Sequence, residues 1–214
     1  ITKKAGVSSL STGPAISKPL IRGLGYNRVL TINDGVRQEG QQWGDEHGIE
    51  IDEYSVDRVE IIKGPGSLIY GSDAMGGVIN FMRPQPLPAG KIETNLLTEY
   101  QSNNHLLGWS LYNAGTQGKL SWQARVSNRY AGAFKSKYDG YVANTGFNEW
   151  SGNGLLSMQH KYGYVQLVVS SFNTQLGFNE GERDSLGNWL NDDSESISRK
   201  AWGNYNIHLP FQRV

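Results

Sequence analysis

The chain has no cysteine among its 214 residues. That removes a disulfide framework, a thiolate metal site and a cysteine nucleophile. It also lacks any apolar run of the roughly 18 residues that a membrane-spanning helix needs. A membrane β-barrel stays open, because its strands show an apolar side chain only at every second position. An excess of charge of one sign is missing too. Twenty Lys and Arg face 20 Asp and Glu, so the chain offers no basic footprint for nucleic acid. Hydrophobic residues make up only 37%, and the mean hydropathy is −0.50. What is abundant is glycine (27), tyrosine (11) and tryptophan (6). That balance suits neither a helical bundle nor a doubly wound α/β enzyme. Ile1-Thr2-Lys3-Lys4 leads into a polar stretch rather than an apolar signal-peptide core. A mature product, an internal piece and a cytoplasmic protein would all read this way.

The character of the sequence changes at residues 83–90, Arg-Pro-Gln-Pro-Leu-Pro-Ala-Gly. Closely spaced prolines remove backbone donors and favour an extended linker. Before it, Val29 to Ile32 followed by Asn33-Asp34-Gly35 reads as a strand closing in a tight turn. Ser55 to Ile62 alternates polar and apolar before Lys63-Gly64-Pro65-Gly66, a second strand entering a turn. Ser67 to Tyr70 suits a short helical turn, and Gly76 to Phe81 a further strand. The expectation is a small mixed unit of strands and helical turns.

After the linker the period falls to two. Ile92, Thr94, Leu96, Thr98 and Tyr100 share a face, and Leu107, Trp109 and Leu111 continue it. Leu120, Trp122, Ala124 and Val126 follow, then Leu156 and Met158, then Val165, Leu167 and Val169. Five strands in succession with no helix between them predict an antiparallel meander. Short connections at 115–118 and 161–163 alternate with long polar ones at 131–149 and 177–195, as in an outer-membrane barrel. The turn at Ser102-Asn103-Asn104 is the exception, being short at the long-loop end. Tyr100, Trp109, Trp122, Tyr130, Trp150, Tyr162 and Tyr164 lie near strand ends, where interfacial girdles form. A soluble β-sandwich with an aromatic core is the competing fold.

The run Pro19 to Arg37, with its I-R-G and N-D-G-V-R elements, resembles the plug of TonB-dependent outer-membrane transporters. So does Val56 to Asn80, with the order K-G-P-G-S-L-I-Y-G-S-D-A-M-G-G-V-I-N. The resemblance covers about residues 5–82 and implies an α+β plug (1–82, its N-terminal part missing), a linker (83–90) and the first strands of a transmembrane β-barrel (91–214). Barrels of this kind have 22 strands. Five strands and the approach to a sixth therefore imply a fragment of a plugged barrel.

The resemblance also assigns expectations to particular residues. Arg22 and Lys63 are expected to face the barrel wall and pair with glutamates on later strands, since a desolvated charge needs a partner. Residues 38–48 lie where the family places an apical loop, and Gln41, Gln42, Trp43, Asp45, Glu46 and His47 are the candidate ligand contacts. Their amides, indole, carboxylates and imidazole suit hydrogen bonding and stacking with a polar solute. Asp45, Glu46 and His47 could also ligate a metal, although adjacent ligands rarely converge on one ion. Gly64 to Gly77 has no Gly-Lys-Ser/Thr and fails the phosphate-loop pattern. His47, His105, His160 and His208 show neither zinc-binding spacing nor an adjacent nucleophile, so no catalytic residue or cofactor is expected.

The implied function is TonB-powered uptake of a scarce solute of the metal, metal-chelate, haem or cobalamin class at the bacterial outer membrane. The implied partners are TonB (through a segment absent from this chain), outer-membrane lipid, the solute and, for oligosaccharide or peptide cargo, a surface lipoprotein; no nucleic acid is expected. The alternative is a soluble, β-rich carbohydrate-binding module, which fractionation without detergent would reveal.

Overall fold

Val29-Leu30-Thr31-Ile32 has no polar face, and the reason is visible in its surroundings: all four residues are buried. A strand covered on both sides reads as a continuous apolar run. The computed structural model describes residues 4–13, 15–38, 48–179, 185, 194–202 and 206–208. It divides into two compact units, Ile1–Pro84 and Gln85–Val214.

In the first unit, β1 (Val7–Gly13) and β2 (Ile16–Ile21) form an antiparallel hairpin. The strands β3 (Val29–Asn33), β4 (Val36–Gln38), β5 (Arg58–Ile62) and β6 (Gly77–Met82) make a mixed sheet in the order β4-β3-β6-β5. The central pair β3–β6 is parallel and its flanks are antiparallel. Ile21, Val29, Ile79 and Phe81 form one core, onto which Ile49, Ile51, Val56, Val59 and Ile61 pack. Leu30, Ile32, Ala74 and Val78 form the other, joined by Ile62. Alternate residues of β3 thus feed opposite cores.

The helical part of the unit consists, among the described residues, of short 3₁₀ segments. One covers Gly64–Tyr70, beginning three residues before the helical turn expected from the sequence, and another covers Ser72–Ala74. The Ser67 hydroxyl bonds to the carbonyls of Gly64 (2.9 Å) and Ala74 (2.6 Å), tying both segments together under the sheet. At the end of β6, Arg83 locks onto the β3–β4 turn. Its backbone N–H donates to Asp34 Oδ1 (2.9 Å) and its Nε to Asp34 Oδ2 (2.7 Å).

The second unit is the meander. It contains β7 (Ile92–Gln101), β8 (Leu106–Gln117), β9 (Leu120–Ala131), a small hairpin of β10 (Lys135–Ser136) and β11 (Gly140–Tyr141), then β12 (Phe147–His160) and β13 (Gly163–Asn179). Next come β14 (Ser194–Trp202) and β15 (Asn206–His208), both paired to β13. The main sheet runs β14-β13-β12-β9-β8-β7, antiparallel throughout.

Direct register partners share a face, so the ladder sorts the side chains. Ile92, Leu96, Tyr100, Leu107, Trp109, Leu111, Leu120, Trp122, Val126, Tyr130, Trp150, Leu156, Met158, Val165 and Leu167 all fall on one side. That side is exposed: Leu96 keeps 70% of its surface and Met158 57%. Near one edge of the apolar band Trp109 and Trp150 meet edge to face at 5.7 Å, across Asn128. Near the other, the Trp122 indole lies over Gly115 and donates to Asn113 Oδ1 (2.9 Å). Any Cβ on Gly115 would stand inside that ring. The stretch from Leu120 to Tyr130 runs about 33 Å along a strand. At a tilt of about 40° it spans roughly 25 Å, the height of an outer-membrane apolar band.

Two expectations shift. Tyr164 pairs with Gln159 on the opposite, polar face, which removes it from the girdle. Strand β12 starts at Phe147, well before the apolar alternation does, and β13 continues to Asn179. In these extensions the same side carries Asn148, Trp150, Gly152, Ser171, Asn173 and Gln175, mostly polar or small residues on the rungs of Tyr130, Asn128 and Val126.

Candidate functional site

The candidate ligand contacts Gln41, Gln42, Trp43, Asp45, Glu46 and His47 lie outside the described residues. The frame around them is described. On one side, β4 pairs with β3 through Thr31↔Gln38. On the other, Gly48 sits so close to Ala15, Ile16 and Ser17 that a side chain there would press on backbone at 3.3–3.4 Å. Asp52 then caps the 3₁₀ turn Glu53–Ser55 by accepting from the Tyr54 N–H (3.0 Å). Arg37, the cation at the base of the loop, is matched by Asp73 across an ion pair. The segment thus leaves from β4 of the mixed sheet and returns against the β1–β2 hairpin.

Arg22 and Lys63, far apart in sequence, are brought to one place. Arg22 has a positive φ of 52° in the turn after β2, and its N–H donates to Gly6 O (2.8 Å). Lys63 donates its ammonium to Ala5 O. Both side chains come within 4 Å of a point just off the Gly6 Cα. Among the described residues, no group of three His, Asp or Glu side chains could hold a metal ion.

Sequence reasoning missed an arrangement on the polar face of the meander. Glu99, Gly108, Arg129, Glu149, Thr174 and Arg199 are successive register partners across six strands. Arg129 Nη1 bonds to Glu149 Oε2 at 3.2 Å, and its Nε lies 3.5 Å from Glu99 Oε1. The second approach is an ionic contact without hydrogen-bond geometry. Glu99 and Arg129 are two strands apart, roughly 9.6 Å, and they meet because Gly108 between them has no side chain. Below this rung Arg125 stacks on the Tyr112 ring (4.3 Å) and donates to Ser110 Oγ (2.8 Å). The signal in the sequence was the arginines at 125 and 129 on the polar alternation, but only the register shows whom they meet.

With this geometry in place, the similarities to known proteins are specific. Residues 1–78 match the TonB-dependent receptor plug domain family. Over those residues the chain is similar to the plug of the TonB-dependent receptors. The hemin receptor of Yersinia enterocolitica is 48% identical over 61 residues, covering 28% of this chain and 9% of that protein. An iron-regulated outer membrane virulence protein of Vibrio cholerae is 38% identical over 90 residues, covering 39% of the chain and 14% of its own length. In three dimensions the FrpB iron transporter of Neisseria meningitidis superposes with a TM-score of 0.71 at 16% identity, over 91% of this chain and 32% of that one. The chain thus spans a small part of its curated relatives and about a third of a whole plugged barrel. The first unit carries the plug match, and the meander has the fold of barrel strands in such plugged structures without closing a barrel. TonB-dependent receptors are outer-membrane proteins and not enzymes.

Proposed function

We propose that the receptor carrying this chain takes up an iron-bearing solute across the outer membrane, driven by TonB. The observation that supports this most directly is the 48% identity over 61 residues to a protein named a hemin receptor. The iron-regulated virulence protein and the FrpB iron transporter support the same class. Haem, a ferric chelate and iron released from a carrier are all compatible with it. Residues 83–90 serve as the linker to the barrel.

Within this reading, Gln41, Gln42, Trp43, Asp45, Glu46 and His47 form the plug's ligand-contacting loop. The support is positional and chemical: the loop leaves from β4 and returns against the β1–β2 hairpin, and its side chains offer stacking, hydrogen bonding and metal-ligating groups. A balanced loop without a basic cluster suits a neutral or cationic metal complex better than a highly anionic chelate. Arg22 and Lys63 pair with carboxylates on barrel strands beyond this chain.

The test uses the full-length receptor in cells given haemin, a ferric siderophore or ferric citrate as sole iron source. Growth on one of them should require both the receptor and TonB, and a Trp43→Ala/Asp45→Ala/His47→Ala variant should bind that solute at least tenfold more weakly. Growth on every iron source without the receptor, or on one source without TonB, would refute the uptake reading. A folded triple variant with unchanged affinity would remove the loop from the site while leaving uptake intact.

A further inference from the structure

The first turn of the meander is short where its neighbours are long, and a small hairpin is docked onto it. Asn103 acts as a substitute strand: its Nδ2 donates to Lys135 O (3.0 Å) and its Oδ1 accepts from Lys135 N–H (2.9 Å). Gly132 N–H donates to Asn104 O (2.8 Å). The Thr145 hydroxyl donates to Val142 O (2.8 Å) and accepts from Phe134 N–H (3.2 Å). The β10–β11 hairpin is thereby fixed, together with the lysines it carries.

Its placement joins two kinds of surface. Lys135 and Tyr141 are register partners and share a face of the hairpin. Tyr141 stacks on His105 with ring centroids 6.4 Å apart, and its hydroxyl lies 3.4 Å from His105 Nε2. His105 Nδ1 is 3.2 Å from the hydroxyl of Tyr100. Tyr100, Leu107 and Tyr130 form the last rung of the apolar face. The Lys135 ammonium stands 5.7 Å from the Tyr141 ring and that of Lys137 5.9 Å from the Tyr138 ring. The acid of the hairpin, Asp139, is turned onto its own hairpin by Ser136 Oγ (3.1 Å). An apolar band with an aromatic edge therefore continues directly into a ledge of ammonium, phenol and imidazole groups.

We propose that this ledge binds the phosphate groups of membrane lipid whose acyl chains lie against the apolar face below it. The proposal rests on the outer-membrane reading, with residues 131–149 at the outer end. Cargo is the poorer occupant, because Tyr100 and Tyr130 point to the side opposite Glu99 and Arg129, away from the polar face. The charge order fits lipid: chains beside Leu107 and Leu111, head group beside Tyr100 and Tyr130, phosphate beside Lys135 and Lys137. Amphipathic aromatics settle at head-group level, and a lysine near an anionic membrane surface contributes about a fivefold gain in binding. Two lysines held by a docked hairpin should together give about thirtyfold.

The experiment uses the full-length receptor in neutral detergent, with bisphosphorylated lipid A and its fully dephosphorylated form as probes. Bound lipid is counted by native mass spectrometry. The wild type should bind the phosphorylated probe about thirtyfold more tightly than a Lys135→Gln/Lys137→Gln variant, and added salt should erase the difference. The dephosphorylated probe should bind both proteins alike. Equal retention of phosphorylated lipid A by a variant that still shows the heat-modifiable folded band would overturn the proposal. A Tyr138→Cys variant separates this from the placement on which it rests, since Tyr138 is 90% exposed. Labelling of that cysteine by an impermeant maleimide on intact cells, without lipid discrimination, would sink the phosphate site and leave the outer placement standing. A folded receptor that takes no label would remove both.

Discussion

Replacing Gly108 with valine should destabilise the barrel only while Glu99 is present. In the native rung Glu99 reaches Arg129 across the empty position at 108. At 3.5 Å and an effective dielectric of about 20, the gross attraction is about 5 kcal/mol. Desolvation takes back most of that. With side chains 21% and 29% exposed, a net coupling of about 1–2 kcal/mol remains. A valine at 108 would stand between the two groups and break the contact, leaving Arg129 with Glu149 alone. Valine is also a better strand former than glycine by up to about 1 kcal/mol. In a Glu99→Ala background, where nothing is left to separate, Gly108→Val should therefore be neutral or mildly stabilising. The assay is a double-mutant cycle on the full-length receptor, read from urea unfolding in lipid vesicles. An equal cost of Gly108→Val with and without Glu99 would refute the idea that the glycine exists to let the pair meet.

Two further outcomes follow from the same faces and locks. Val126→Arg, in the middle of the apolar band, should cost about 2–4 kcal/mol of barrel stability, and Tyr130→Arg at its edge no more than about 1 kcal/mol; vesicle unfolding that shows equal costs would contradict the lipid-facing assignment. Arg83→Met should remove the grip on Asp34, whose partners are 18% and 20% exposed, and speed hydrogen exchange in the β3–β4 turn roughly thirtyfold, equivalent to about 2 kcal/mol; unchanged exchange would show that the lock does not hold the turn.

The meander was legible because one face of each strand meets a uniform environment. Leu96, Leu111 and Val126 alternate with polar residues in sequence and become register partners in space. Where the environment changes, legibility ends. Asn148 and Gly152 belong to β12 but carry no apolar signal, so the strand looked shorter than it is. In the plug, β3 was readable as an unbroken apolar run, while Ile49 and Ile51 were not, because they reach the core from irregular backbone. The contact of Glu99 with Arg129 depends on a register no local pattern encodes. The pairing partners of Arg22 and Lys63 and the geometry of residues 41–47 belong to parts that a sequence pattern names only by position.

The strand directions in the plug also determine how it would respond to a pull from its N-terminal side. In the β1–β2 hairpin, Val7 lies opposite Ile21, so the loaded ends of both strands sit together. Tension opens such a pair like a zip, one rung at a time. The β3–β6 pair is parallel, with Val29 opposite Gly77 and Asn33 opposite Phe81. Tension entering at Val29 and leaving past Met82 loads opposite ends, and every rung must slide together. The hairpin is thus the compliant element and the central pair the stiff one. A modest force would peel away the segment that seats Arg22 and Lys63, and leave the mixed sheet intact.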